Sequence, residues 1–239
     1  MGFNLDNTHS GSRVAPVNLH IARGDWNDLS HINKFGYNAA TSSSFETVTD
    51  LSGVYSYIDA PIQLTVTSAS GATDNGVEVE LQGLDANYLA QTVSVTLAGS
   101  GTATTTETFK RIFRARVTSG TPDGNITIGD SQTYAQITAG NGQTLMATYT
   151  VPGNQDAYLI KFQGSQQKDQ DTTFQLMARP FGTDTFQVKG QWAGRGGQIN
   201  YDYPVPLKFE GKTDIEIRVK TGSASEAGAL FDLILEKRP

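Results

Sequence analysis

Cysteine is absent from the 239 residues. Thiol catalysis is thereby excluded, and a zinc site would have to rely on histidine and carboxylate ligands. A small secreted domain often needs disulfides, whereas a large β fold does not, so the absence leaves the compartment open. Histidine is nearly as scarce: His9, His20 and His31 are the three present. A Ser-His-Asp triad would have to borrow its base from the N-terminal stretch. Spacing of eleven residues returns to nearly one face of an α-helix, but Gly11 and Pro16 break any helix that would use it. No apolar run approaches the roughly 20 residues that span a bilayer. The start, Met1-Gly2-Phe3-Asn4-Leu5-Asp6, shows neither a basic segment nor an apolar one of the secretory kind. A surplus of positive charge is also missing. Net charge is -6 and the sequence pI about 5.0, which gives no electrostatic reason to expect a nucleic-acid partner.

What is abundant is glycine, threonine and alternation. Ile62, Leu64 and Val66 alternate with Gln63, Thr65 and Thr67. Val77, Val79 and Leu81 do so with Glu78, Glu80 and Gln82, and Val93, Val95 and Leu97 repeat the pattern. Period 2 puts one set of side chains on a buried face and the other in water, so each stretch predicts a β-strand. Further strands are expected at 108–119, 125–128, 133–138, 173–178, 185–192, 199–203, 207–209, 215–219 and 230–235, with Gly-, Ser- and Asn-rich turns between them. The strongest apolar pair is 144–151 and 157–162, flanking Pro152-Gly153-Asn154, where proline presets φ and glycine supplies a left-handed position. This reads as a hairpin able to anchor a sheet. No stretch carries a helical period of useful length. The expected fold is all-β, an antiparallel β-sandwich or jelly roll over residues 45–239, with two sub-sandwiches divided near residue 140 as the alternative.

Residues 1–44 differ. They are Asn-rich, broken by Gly11, Pro16, Gly24 and Gly36, and too well supplied with hydrophobic groups for a purely solvated tail. An extended N-terminal arm is expected here, with Trp26, Leu29, Ile32, Phe35 and Tyr37 as anchors and a short helical turn near 25–29. Fully extended, such an arm reaches on the order of 145 Å.

Several residue groups carry chemistry on paper. Glu78 and Glu80 share one face of a strand, which reads as a solvated face and not as an acid/base pair. Asp123-Gly124-Asn125-Ile126-Thr127-Ile128-Gly129-Asp130 alternates oxygens as a calcium loop does, but lacks the closing bidentate glutamate, so an ordinary Asx-type turn is expected. Lys110, Arg111, Arg114 and Arg116 crowd one strand and read as edge charges that discourage aggregation. Around the glycine-rich 193–197, Trp192, Arg195, Asn200, Tyr201, Asp202 and Tyr203 combine aromatic faces with hydrogen-bonding groups. That mixture suits a partner or a sugar. No catalytic, cofactor or metal residues are expected.

Asn33-Lys34-Phe35-Gly36-Tyr37-Asn38 resembles a family of structural proteins of tailed bacteriophages, of the aquatic, cyanophage-like kind. The resemblance continues through 82–88, 140–147, 203–209 with 212–215, and 231–235, in matching order. It implies a virion component, assembled in the host bacterial cytoplasm, without enzymatic activity or cofactor. An accessory or decoration protein held on capsid or neck through the arm is the expected role. Its partners would be major capsid, portal or neck proteins and further copies of the chain, a homotrimer first. The alternative is a carbohydrate- or receptor-binding module of a tail or head fibre.

Overall fold

The computed structural model describes residues 16–238. The chain is all-β, built from antiparallel sheets packed as sandwiches. After a helix α1 (Val17–Arg23), closed by left-handed Gly24, come β1 (Leu29–Asn38) and β2 (Glu46–Thr47). Then follow β3 (Ile62–Ser68), β4 (Glu78–Leu84), β5 (Ala90–Thr96), β6 (Thr102–Phe109), β7 (Arg111–Ser119), β8 (Ile126–Gly129) and β9 (Thr133–Ile137). The chain ends with β10 (Thr148–Thr150), β11 (Gln155–Arg179), β12 (Gln187–Phe209), β13 (Asp214–Thr221) and β14 (Ala227–Lys237).

Two separate hydrophobic cores result. Strands β3 to β9 form one sandwich, a four-stranded sheet ordered β6-β3-β8-β9 facing a three-stranded one ordered β5-β4-β7. Leu64, Val66, Val79, Leu81, Phe109, Ile126 and Ile128 fill it. The alternation seen in sequence does this work directly: Val79 and Leu81 are buried while Glu78, Glu80 and Gln82 stand half-exposed between them. This sandwich is inserted into the other one, between β2 and β10. Thr49 and Met146, where the chain leaves and returns, pair with each other in an antiparallel bridge.

The other sandwich is a single seven-stranded sheet folded back on itself. Strand β11 runs 25 residues and β12 runs 23, and both bend midway. The first half of β11 pairs with β14 as far as Gln166, and its second half pairs with β13 from Thr172. Throughout, β12 lies along the other edge of β11, with the register broken between Gln166 and Asp171. The halves face each other across the core, so Phe162 from one meets Phe174 from the other at 6.0 Å between ring centres. Gly164 leaves room for this, since a Cβ there would come within 2.9 Å of the Phe174 ring. Leu159, Ile217, Val219, Phe231 and Leu233 complete the core.

The expected hairpin at Pro152-Gly153-Asn154 does not form. Strand β10 pairs with β13, and β11 with β12, β13 and β14, but not β10 with β11. The connection is an arch from one layer to the other, which is why both strands are apolar: they face across the core instead of lying side by side. Gly153 does not take the left-handed conformation, and its N–H donates to the Tyr88 carbonyl at 2.7 Å. The expected strand at 108–119 is two, broken at Lys110.

Within the stretch read as an arm, residues 29–38 form β1 and pair along their whole length with β14. Val17–Arg23 is the helix, and a turn closes at 26–29, where the Leu29 N–H donates to Trp26 O at 3.1 Å. The sheet explains Gly36. A Cβ at this position would lie 2.1 Å from the Val48 carbonyl oxygen and 2.4 Å from the Ala147 nitrogen. Both are backbone atoms and cannot swing away. Gly36→Ala is expected to cost about 1–3 kcal/mol through overpacking, measured by urea denaturation, against a nearly unchanged midpoint for Gly222→Ala, where φ is not positive and an added Cβ would come no nearer than 3.8 Å to another atom.

Candidate contact surface

Among the described residues strand β12 pairs with β11 alone, which leaves its other edge without a strand partner. Because it bends with β11, its two halves border the open side of the folded sheet. Trp192 sits on the first half opposite Phe174, and Tyr201 on the second opposite Phe162. The indole stacks on Phe162 with centroids 4.1 Å apart and planes 14° from parallel. Gly190 accommodates it, since a Cβ there would come within 2.5 Å of the ring. Tyr201 leans on Trp192 at 5.8 Å and Tyr203 meets Tyr201 edge-on at 4.8 Å. An aromatic row thus runs from buried Phe162 through half-buried Trp192 to exposed Tyr201, with half-buried Tyr203 against it.

The six residues singled out along 192–203 separate in this geometry. Trp192 and Tyr203 are half-buried and pack against the core. The Tyr203 hydroxyl is enclosed without a hydrogen-bond partner, and burial, with Tyr201 beside it, pushes its pKa up to about 12. Tyr201 is 42% exposed. Arg195, Asn200 and Asp202 are exposed on the strand, and Arg195 reaches Asp169 at 3.1 Å. Beyond them Tyr203–Pro206 swells out of register between the Leu207 and Asp202 pairings, leaving Val205 80% exposed.

Among the arm anchors, Trp26 stacks on His20 at 5.6 Å. Ile32 packs on the core, Leu29 is half-buried, and the Tyr37 hydroxyl donates to Glu226. Phe35 is 37% exposed. Histidines 20 and 31 each approach one carboxylate, Asp25 at 2.8 Å and Asp232 at 3.4 Å; His9 lies outside the described residues. Among the described residues no group of three or more His, Cys, Asp or Glu is placed to hold a metal, and no helix is long and apolar enough to cross a membrane. The loop at 123–130 is organised by a residue outside it. Buried Asp74 accepts the Asp123 and Gly124 N–H groups, at 2.8 and 3.4 Å, and the Ser68 hydroxyl.

The basic cluster of Lys110 and β7 is where sequence reasoning went furthest astray. Strand β7 is an edge strand, as expected of its charges, but Arg111 points inward and is 6% exposed. Its guanidinium forks onto Asp214 of β13, at 2.8 and 3.0 Å, and donates again to the Ile58 and Lys110 carbonyls. Arg179 donates to the same carboxylate at 2.6 Å, and the Thr150 hydroxyl donates to it at 2.6 Å as well. Arg111 carries burial's penalty on its charge, but the Asp214 carboxylate outweighs it and holds its pKa above the ordinary value. Next to this group, fully buried Glu216 takes the Tyr57 hydroxyl at 3.0 Å and pairs with Arg218. Burial raises its pKa despite both partners. Lys34 is buried with its ammonium on the Phe113 carbonyl, and burial, followed by repulsion from Arg114, holds its pKa well below the usual lysine value. These groups all join one sandwich to the other.

No protein-family model and no curated protein matches the chain. Solved structures with some likeness come from a viral particle. The structure of infectious bursal disease virus Gx strain is 11% identical, covering 88% of this chain and 76% of that one, at a TM-score of 0.22. The infectious bursal disease virus VP2 subviral particle is 14% identical, covering 84% and 62%, at 0.18. Scores this low do not establish a common fold.

Proposed function

We propose that the chain is a non-enzymatic structural protein of a tailed-phage virion, an accessory or decoration protein attached to capsid or neck through its N-terminal segment. The observation that carries this reading is where the phage-like sequence blocks fall. Although far apart in sequence, they meet each other in the fold. Gly36 lies against Ala147, and the Tyr37 N–H donates to Leu145 O at 3.4 Å. Asn33 donates to Asp232 at 2.5 Å. The Lys212 ammonium lies 5.4 Å from the Tyr88 ring centre, and Asp214 carries the inter-sandwich ion pair. Blocks that lie apart in sequence but pack on one another support a resemblance of architecture and not of one isolated motif. Two linked sandwiches with a free strand edge suit a part that is locked to neighbours, a homotrimer following a three-fold site of the particle.

Deleting residues 1–28, which ends before β1, should leave a folded β-rich protein that no longer joins particles. Full-length protein should appear at a defined capsid or neck position in electron micrographs of purified virions and run as a trimer in light scattering. Normal incorporation of the truncated chain would overturn the attachment role, and a monomeric mass at micromolar concentration would overturn the trimer.

A further inference from the structure

Because β12 bends back, its beginning and end come together although 189 and 208 are far apart in sequence. Between them lies a half-open cavity of about 490 Å³, bordered by the β11–β12 connection, the β12–β13 turn and the C-terminal residues. That is within the range of small-ligand sites. Four cations line it: Lys189, Lys208, Lys212 and Arg238. Lys208 and Arg238 share a single carboxylate, Asp156, at 2.9 and 2.5 Å. Asp156 also accepts the Gly211 N–H at 3.3 Å, which pins the turn. Among the described residues Lys189 donates only to the neutral Gln187 amide oxygen, at 2.7 Å. Lys212 lies over aromatic rings, 4.6 Å from the centre of Phe181 and 5.4 Å from that of Tyr88. Among the described residues Glu210 is the one acid on the lining and Asp156 lies against it, so four cations face two carboxylates here, on a chain whose net charge is -6.

Two features say that this excess is held in place. Lys212 is left-handed, with φ of 68°, a conformation that costs a residue other than glycine free energy and that collects at ligand sites. Phe181 stands 59% exposed at the mouth beside Pro180, an apolar face next to the cations.

We propose that this cleft binds an acidic oligosaccharide, its anionic groups on Lys189, Lys212 and the Lys208–Arg238 pair and a ring face on Phe181. The site is separate from the Trp192–Tyr203 row. Cations fix the anionic groups, and an exposed aromatic face suits the apolar face of a sugar ring. The anion is a carboxylate or a sulfate, which the test distinguishes.

Full-length protein is titrated calorimetrically with tetragalacturonate, a heparin-derived tetrasaccharide, neutral maltotetraose and a tetraglutamate peptide. At least one of the acidic saccharides should bind, more weakly as salt rises, while maltotetraose and the peptide do not; binding of the heparin fragment alone names sulfate, because that fragment carries carboxylates too, and binding of tetragalacturonate names carboxylate. Lys189→Gln with Lys212→Gln should weaken binding at least tenfold, with the thermal midpoint checked in parallel. Lys189 is exposed on the strand edge, so Lys189→Glu alone keeps the test independent of how the turn tolerates change. Failure of both acidic saccharides to bind, equal binding of maltotetraose or tetraglutamate, or undiminished binding by the folded Lys189→Glu variant would overturn the proposal.

Discussion

Asp214→Asn should lower unfolding free energy by about 3–5 kcal/mol, the range for breaking a buried ion pair by removing one partner. The carboxylate is 2% exposed and is shared by Arg111, Arg179 and Thr150. Asparagine keeps the volume but removes the charge, leaving a buried Arg111 guanidinium facing an amide. Reorganisation offers little relief, because two further Arg111 bonds to backbone carbonyls hold the side chain in place. The consequence reaches past one residue. Asp214 belongs to the folded seven-stranded sheet and Arg111 to the inserted sandwich, so the pair ties two cores that otherwise form separate clusters. Wild type is expected to melt in one transition and the variant to show two. The control is Arg195→Ala: its partner Asp169 is 81% exposed, and such surface pairs contribute about 0–1 kcal/mol. A loss below about 1 kcal/mol for Asp214→Asn in urea denaturation, with a single transition retained, would mean that the junction is held by other contacts.

The size of that expected effect also shows what sequence reading missed. Alternation is local, so Val79 and Leu81, or Ile126 and Ile128, announced their strands and their buried face correctly. An ion pair between positions 111 and 214 leaves no such trace, because nothing near Arg111 says that its partner lies 103 residues away. The signal available was an acid in front of an apolar alternation, Asp214 before Ile215 and Ile217, and a cation on the apolar face of 109–117. Likewise the insertion of one sandwich into the other is not legible locally, because Gly140-Asn141-Gly142 before the return at Met146 reads as a boundary between successive units and nothing nearby pairs it with the exit at Thr49. The breaks assumed within 155–179 and 187–209 follow from the same limit. Glycines at 164, 190, 194, 196 and 197 read as punctuation, yet at 164 and 190 they are places where a ring lies against the strand. Of the contact surface, the composition of 192–203 was legible. Which of its aromatics turn inward was not, since that depends on the bend of β12.

Phe162→Ala tests the bend directly, and it should cost about 3–5 kcal/mol. Phe162 is fully buried and touches both halves of the folded sheet: Phe174 at 6.0 Å and Trp192 at 4.1 Å, stacked. Truncation removes the surface on which the indole rests and opens a void where the two halves meet, so transfer and cavity costs add. Leu159→Ala, fully buried on the same half-strand, should fall at about 2–5 kcal/mol. Val205→Ala, on the 80% exposed swelling of β12, should change stability by less than about 0.5 kcal/mol. Urea midpoints at matching m-values give the ranking. Tryptophan emission gives a second readout that a general loss of stability does not: with Phe162 gone, native-state Trp192 becomes more solvated and its emission shifts to the red, while Leu159→Ala leaves it in place. A Phe162→Ala variant as stable as Val205→Ala, with unshifted emission, would mean that the halves of β11 and β12 do not close on one another and that the open side of the sheet, with the cleft at its end, is built differently.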